Sequence, residues 1–217
     1  MSRMKPTRTG KLTRVQGWHT KRVHSFSTAI EYHFFLLLEW DDTTVDIEER
    51  HLLPPQSIQE IRTILQLPTN AAEITASDFL VTSKQGKEAW AVMPAKQLES
   101  RKALEDLDIR RIFWERAGIP FAVCTEKEIN QTIVKNVQWV HGNREIDITN
   151  NELSSTKPVL ENALMHTSLG EACRGCDDML GLDNGTSLRI ARHFIATKVW
   201  SVDVTNPISA QEKLHII

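Results

Sequence analysis

The chain has 217 residues, 41% of them hydrophobic and 25% charged, the balance of a globular protein with room for one large domain or two small ones. A mainly disordered chain is excluded. The longest unbroken apolar runs, Phe34 to Leu38 and Ala89 to Met93, are five residues where a membrane span needs ~20. No apolar stretch near the N-terminus resembles a signal peptide, so the sequence predicts a cytoplasmic, nucleoid-associated protein with no membrane partner. Three cysteines, Cys124, Cys173 and Cys176, are too few and odd in number to staple such a fold, which predicts reduced thiols and a hydrophobic core.

The net charge of −2 is unevenly spread. Residues 1–25 hold seven Lys/Arg (Arg3, Lys5, Arg8, Lys11, Arg14, Lys21, Arg22) and no acid, against 19 basic and 28 acidic residues in the remainder. A basic N-terminal arm of this kind either tracks phosphates or merely solubilises the chain. Gly10, Gly17 and Trp18 predict that its second half is ordered.

In chain order, Ser27 or Thr28 caps a helix running to about Trp40, with Ile30, Phe34, Leu37 and Leu38 as its buried face and Glu31 beside that stripe. Val45 to Leu53 is short and partly alternating, and ends at Pro54-Pro55. Ser57 is placed to cap a second helix reaching about Leu67. Phe79 to Ser83 and Ala89 to Met93 predict a β-hairpin around residues 84–87, with Asp78 at its entry and Pro94 at its end. A long helix follows over about Leu98 to Ala117, burying Leu104, Leu107 and Trp114 and stopping at Gly118. Phe121 to Cys124 suits an interior strand, and Glu128 to Trp139 an amphipathic helix with Ile129, Ile133, Val137 and Val140. This order is an α/β arrangement, helices flanking a mixed sheet.

Residues 143–157 are polar and predict a linker. Beyond it come a helix from Pro158, a second from Leu169 to Leu180, a third capped by Thr186 or Ser187 and reaching Lys198, and a strand at Trp200 to Val204. Three helices and a strand are the order of a winged helix-turn-helix. The predicted organisation is an arm (1–25), a core domain (26–142), a linker and a C-terminal winged-helix domain (158–217).

Cleavage of a phosphodiester by a divalent metal needs carboxylates converging on the ion and a cation or amide near the attacking water. Glu31 and Asp78 are candidates for the acids, although a lone helix Glu or strand-entry Asp is more often structural. Cys173-x-x-Cys176 with His166 lacks the second ligand pair of a structural zinc site and suits a helix interior better. The last predicted helix offers Arg189, Arg192, His193 and Lys198 to DNA. Residues 150–217 nevertheless hold six Lys/Arg against eight Asp/Glu, which favours protein docking over stand-alone DNA binding.

The stretches GWHTKRVHSFSTAIEYHFFLLLEW (17–40), VDIEERHLLP (45–54), SDFLV (77–81), PAKQLESRKALEDLDIRRIFW (94–114), CTEKEIN (124–130) and GTSLRIARHFIATKVWSVD (185–203) resemble the TnsA family of transposon endonucleases. The resemblance implies a restriction-endonuclease-like core in which Glu31 and Asp78 match the metal-binding acids and Mg²⁺ is the cofactor. It implies a DNA endonuclease subunit of a heteromeric transposase, nicking 5′ transposon ends during cut-and-paste transposition beside a TnsB-like recombinase and a TnsC-like AAA+ ATPase. The family carries Gln-x-Lys on the second hairpin strand, where the lysine orients or helps deprotonate the nucleophilic water; here the tripeptide is Ala91-Val92-Met93. Neither Ala91 nor Met93 can donate a strong hydrogen bond or carry charge. Lys96, three residues on, is the cation available to replace the missing lysine. The alternative reading is a catalytically impaired scaffold bridging recombinase and ATPase.

Overall fold

The computed structural model describes residues 12–68 and 76–217. The arm residues Arg3, Lys5, Arg8, Gly10 and Lys11 lie outside the described residues. Chain contacts divide the protein into two compact units, Met1–Ile129 and Asn130–Ile217.

The first unit is mixed α/β. Strands β1 (Thr13–Gln16) and β2 (Val23–Phe26) form an antiparallel hairpin, so the second half of the expected arm is ordered and belongs to this unit. Trp18, at the hairpin loop, and Phe26 are buried. The loop is tied to helix α1 (Ala29–Trp40), because the buried Glu39 carboxylate accepts the Trp18 N–H. A capping box starts α1: the Thr28 hydroxyl accepts the Glu31 N–H while the Glu31 carboxylate accepts the Thr28 N–H, satisfying donors that the first helical turn leaves free.

Helix α1 buries Phe34, Phe35, Leu36 and Glu39, not the expected stripe of Ile30, Phe34, Leu37 and Leu38. The hairpin is the reason. His24 and Phe26 pack tilted against Phe35 at ring separations of 4.8 and 4.9 Å, giving α1 a second covered side that one periodic stripe does not reveal.

Strands β3 (Thr44–Leu52), β4 (Ala76–Ser83), β5 (Gly86–Val92) and β6 (Phe121–Cys124) form a sheet in that order. The first three are antiparallel and β6 joins β5 in parallel. Alternation along the strands sends side chains to opposite faces. Phe79 and Trp90, cross-strand partners, meet Phe34 of α1. Leu80 and Ala89, the next pair, pack with Ile58 and Ile61 of α2 (Pro55–Ile64) and Ile109 and Trp114 of α3 (Arg101–Arg116).

Helix α2 starts at Pro55, earlier than Ser57, because a proline at the first helical position forfeits only an N–H that has no intrahelical acceptor. A short 3₁₀ turn, Ala95–Glu99, then leads into α3. Leu107 and Trp114 are buried in α3 as expected, but Leu104 is 47% exposed and Ile109 takes the core position instead.

The second unit is helical: α4 (Gln131–His141), α5 (Asn150–Leu164), α6 (Leu169–Leu180) and α7 (Thr186–Ala196). Helix α4 groups with it, whereas the sequence reading ended the core domain at 142. Asn136 supplies the reason: its buried amide donates to the carbonyls of Val204 and Asn206 and accepts the Ile208 N–H, pinning the C-terminal segment to α4. The expected 143–157 linker is half helix, since Thr149 and Glu152 form a capping box and α5 runs through Pro158. Expected strand Trp200–Val204 is reduced to one antiparallel bridge, Val202 with Ile216.

Candidate functional site

Asp78 enters the sheet on β4, one residue before Phe79, which pairs with Trp90. That register sets Asp78 level with Ala91 on the face covered by α3. The carboxylate is held at Oδ2, which accepts the Val92 N–H at 2.8 Å and an Arg110 guanidinium N–H at 3.3 Å. Glu31 comes from the start of α1. Its Oε2 accepts the Ser27 N–H at 3.1 Å, the Ser27 hydroxyl at 3.2 Å and the Thr28 N–H at 3.3 Å.

These two acids, 47 positions apart in sequence, line one small recess together with Ser25, Phe26, Glu49, Arg50 and Phe79. Burial pushes the Asp78 carboxyl above its ordinary value. The Arg110 charge and the Val92 N–H oppose that rise, while the nearby charges of Glu31 and Asp106 add to it. An anionic pair drawn together under partial burial is a place where a cation is favoured.

Two further recess residues were not singled out from the sequence. Glu49, on β3 beside Phe79, is bonded through Oε2 to the fully buried His24 Nδ1 at 2.6 Å, and His24 Nε2 meets the Thr20 hydroxyl at 2.6 Å. Arg50, exposed, has a positive φ of 58° and donates to the Ser27 hydroxyl at 3.2 Å, completing a chain Arg50–Ser27–Glu31. A left-handed backbone at a non-glycine strand residue is uncommon and must be held by its surroundings, and it is invisible in sequence. Arg110, whose guanidinium also bonds Asp106 one helical turn away, was equally missed. The i, i+4 spacing of Asp106 and Arg110 was the available signal, and it marks ordinary helix surface pairs too.

Ala91 and Met93 are 0% and 7% exposed and pack with Leu107, and Leu98, Phe121 and Val123 cover them. The two positions are therefore part of the apolar core beneath α3. Lys96 is exposed on the 3₁₀ turn and does not line the recess.

Glu31 and Asp78 offer hard carboxylate oxygens, the donor chemistry of Mg²⁺, which is commonly held by one or two carboxylates and completed by water and substrate phosphate. Asp78 Oδ1 carries no hydrogen bond from the described residues, which leaves it available as a ligand. Among the described residues no group of three or more His, Cys, Asp or Glu could hold a metal by itself.

In the second unit, Cys173 and Cys176 are buried in α6 and burial pushes the Cys173 thiol up to about 12, which makes it inert at neutral pH. The cationic face of α7 is partly used internally. Arg192 lies 4.2 Å from the Trp139 ring centroid, and His193 Nδ1 meets the Asn143 carbonyl at 3.1 Å. Arg189 is exposed. No helix among the described residues is long and apolar enough to cross a membrane.

Two family models match the chain: "TnsA-like endonuclease N terminal" over residues 41–126 and "TnsA endonuclease C terminal" over residues 128–204. The junction between them falls at the boundary between the two compact units. The "Transposon Tn7 transposition protein TnsA" of Escherichia coli is 29% identical over 157 residues, which cover 69% of this chain and 58% of that relative. The chain thus spans little more than half the length of the curated relative it matches.

Proposed function

Because the chain belongs to the TnsA-like endonuclease family, we propose that it is the endonuclease subunit of a Tn7-like heteromeric transposase, nicking the 5′ ends of transposon DNA. The observation that carries this reading is the shared recess of Glu31 and Asp78. Mg²⁺ held by these two acids supplies, when bound, charge neutralisation at the scissile phosphate and an acidified water.

The chain's own residues do the rest. The backbone N–H of Val92 and the guanidinium of Arg110 fix Asp78 through Oδ2 and turn Oδ1 free. The first turn of α1 fixes Glu31, and Arg50 presents an exposed guanidinium beside both acids, suited to a DNA phosphate. Lys96, exposed on the 3₁₀ turn outside the recess, is the cation that would have to swing in to take the role of the missing strand lysine. The second unit, with its ordered series α5, α6, α7 and the Val202–Ile216 bridge, is read as a winged-helix module. Its partly occupied cationic face favours docking to the TnsB-like recombinase and TnsC-like ATPase over direct reading of DNA.

A second reading is favoured by Ala91, Met93 and their apolar packing: a scaffold that assembles recombinase and ATPase with little turnover. Loss of one preorganised stabiliser of transition-state charge costs ~10²- to 10³-fold in rate.

The test uses transposon-end DNA, Mn²⁺ or Mg²⁺, recombinase and ATPase together. Unmodified protein is expected to nick 5′ ends, with the rate reduced at least ~10²-fold in Glu31→Gln and Asp78→Asn. Glu31→Gln is chosen because its side-chain oxygen still caps α1. Equal nicking by all three forms overturns the site. Absence of nicking by the unmodified protein within an assembled complex establishes the scaffold reading instead.

A further inference from the structure

Beside Asp78 on the sheet, the positions Ala91 and Met93 are apolar and packed on Leu107. Besides Arg50 at the recess, a second positive charge reaches Asp78 from α3. Arg110, one turn beyond Leu107 on α3, places its guanidinium between two carboxylates, bonded to Asp78 Oδ2 at 3.3 Å and to Asp106 Oδ2. Its side chain is only 12% exposed, and its Nε is buried without a hydrogen-bond partner.

Burying a guanidinium with one donor unsatisfied is costly, and the two acids are what offset it. Arg110 does not line the recess, so it is not aimed at the space where a water would attack. It stands behind Asp78, where it cancels part of the negative charge that a divalent ion would otherwise meet.

We propose that Arg110 is the resident counter-cation of the Asp78 site and sets its affinity for a divalent metal. With the guanidinium in place the isolated chain holds such an ion weakly; without it, an ion at Asp78 and Glu31 meets the two acids with that positive charge removed. The proposal rests on the reading of Glu31 and Asp78 as metal-binding acids and adds a residue that tunes them.

The test is Mn²⁺ titration of the full chain, followed by the electron paramagnetic resonance signal of the free ion, for unmodified protein, Arg110→Met, Arg110→Lys, Asp78→Asn and the double change Arg110→Met with Asp78→Asn. Removing the unit charge that is bonded to Asp78 should tighten binding by at least about tenfold in Arg110→Met at low salt, less so at high salt. Arg110→Lys, which keeps the charge, should stay near the unmodified protein, and Asp78→Asn should abolish the gain. Arg110→Gln replaces Arg110→Met if the latter does not fold.

Equal or weaker binding after loss of the Arg110 charge, with Asp78→Asn still abolishing it, overturns the role of Arg110 and leaves the acidic pair standing. Binding that is indifferent to Asp78→Asn in every background, or absent from all forms, overturns both.

Discussion

At the scale of single residues, the energetics of the site centre on Asp78. Burial raises its carboxyl above the ordinary value, so the folded chain holds that proton more tightly than the unfolded one. Stability must then fall as pH rises from the ordinary carboxylate range through the raised value, and stay depressed above it. Asp78→Asn removes the ionisation while keeping an oxygen to accept the Val92 N–H. The variant should therefore gain stability relative to the unmodified protein at neutral pH and lose that advantage in acid. Urea midpoints measured from pH 3 to 7 check this, and a difference that does not change with pH would contradict the assignment. That cost at neutral pH is the one the proposed cation-binding role of Asp78 entails, and Arg50 keeps a left-handed backbone in the same recess.

At the scale of elements, the hairpin of β4 and β5 explains why the Gln-x-Lys positions cannot simply be restored. Ala91 and Met93 lie under α3, where Leu98, Leu107, Phe121 and Val123 leave them no solvent. Met93→Lys has to bury an ammonium or push α3 aside, and should cost about 2 kcal/mol or more of folding stability. Thermal unfolding checks this; an unchanged midpoint would show that the side chain reaches water. A variant carrying both Ala91→Gln and Met93→Lys therefore needs its fold verified before its nicking is read. Ala91 and Met93 instead each add apolar contact to the core beneath α3.

At the scale of the whole molecule, the two compact units are held by different means. The first is layered, with α1 and the β1–β2 hairpin on one face of the sheet and α2 and α3 on the other. The second closes on itself through its last residues. Asn136 binds the backbone of Val204, Asn206 and Ile208, while Leu169 and Gly170 at the start of α6 donate to the carbonyls of Glu212 and Ala210. Gly170 permits that approach, since a Cβ there would lie 2.8 Å from the Ala210 oxygen. Asn136→Ala leaves three backbone groups without their partner and should cost roughly 2 kcal/mol, with faster proteolysis near residues 204–208. A protease digestion pattern unchanged from the parent would show that the segment is held without Asn136.

Much of this protein is determined locally. Thr28 with Glu31, Thr149 with Glu152 and Ser168 with Glu171 are capping boxes whose Ser/Thr-x-x-Glu spacing is written in the sequence. The β4–β5 hairpin, β6 and the helices α1, α3, α6 and α7 follow from periodicity and turn residues, and the ordered motifs identify the family. The polar composition of 143–157 suggests a linker, while the Thr149-x-x-Glu152 spacing within it marks the start of α5.

What only the tertiary structure decided is everything that depends on elements distant in sequence meeting. Periodicity assigns one buried stripe per helix, so it could not foresee that a hairpin covers α1 from a second side, or that Asn136 draws α4 into the second unit. The recess joining Glu31 to Asp78, the approach of Glu49 and Arg50, and the insertion of Arg110 between two acids depend on strand register and helix packing. Neither is encoded by the spacing of the residues concerned.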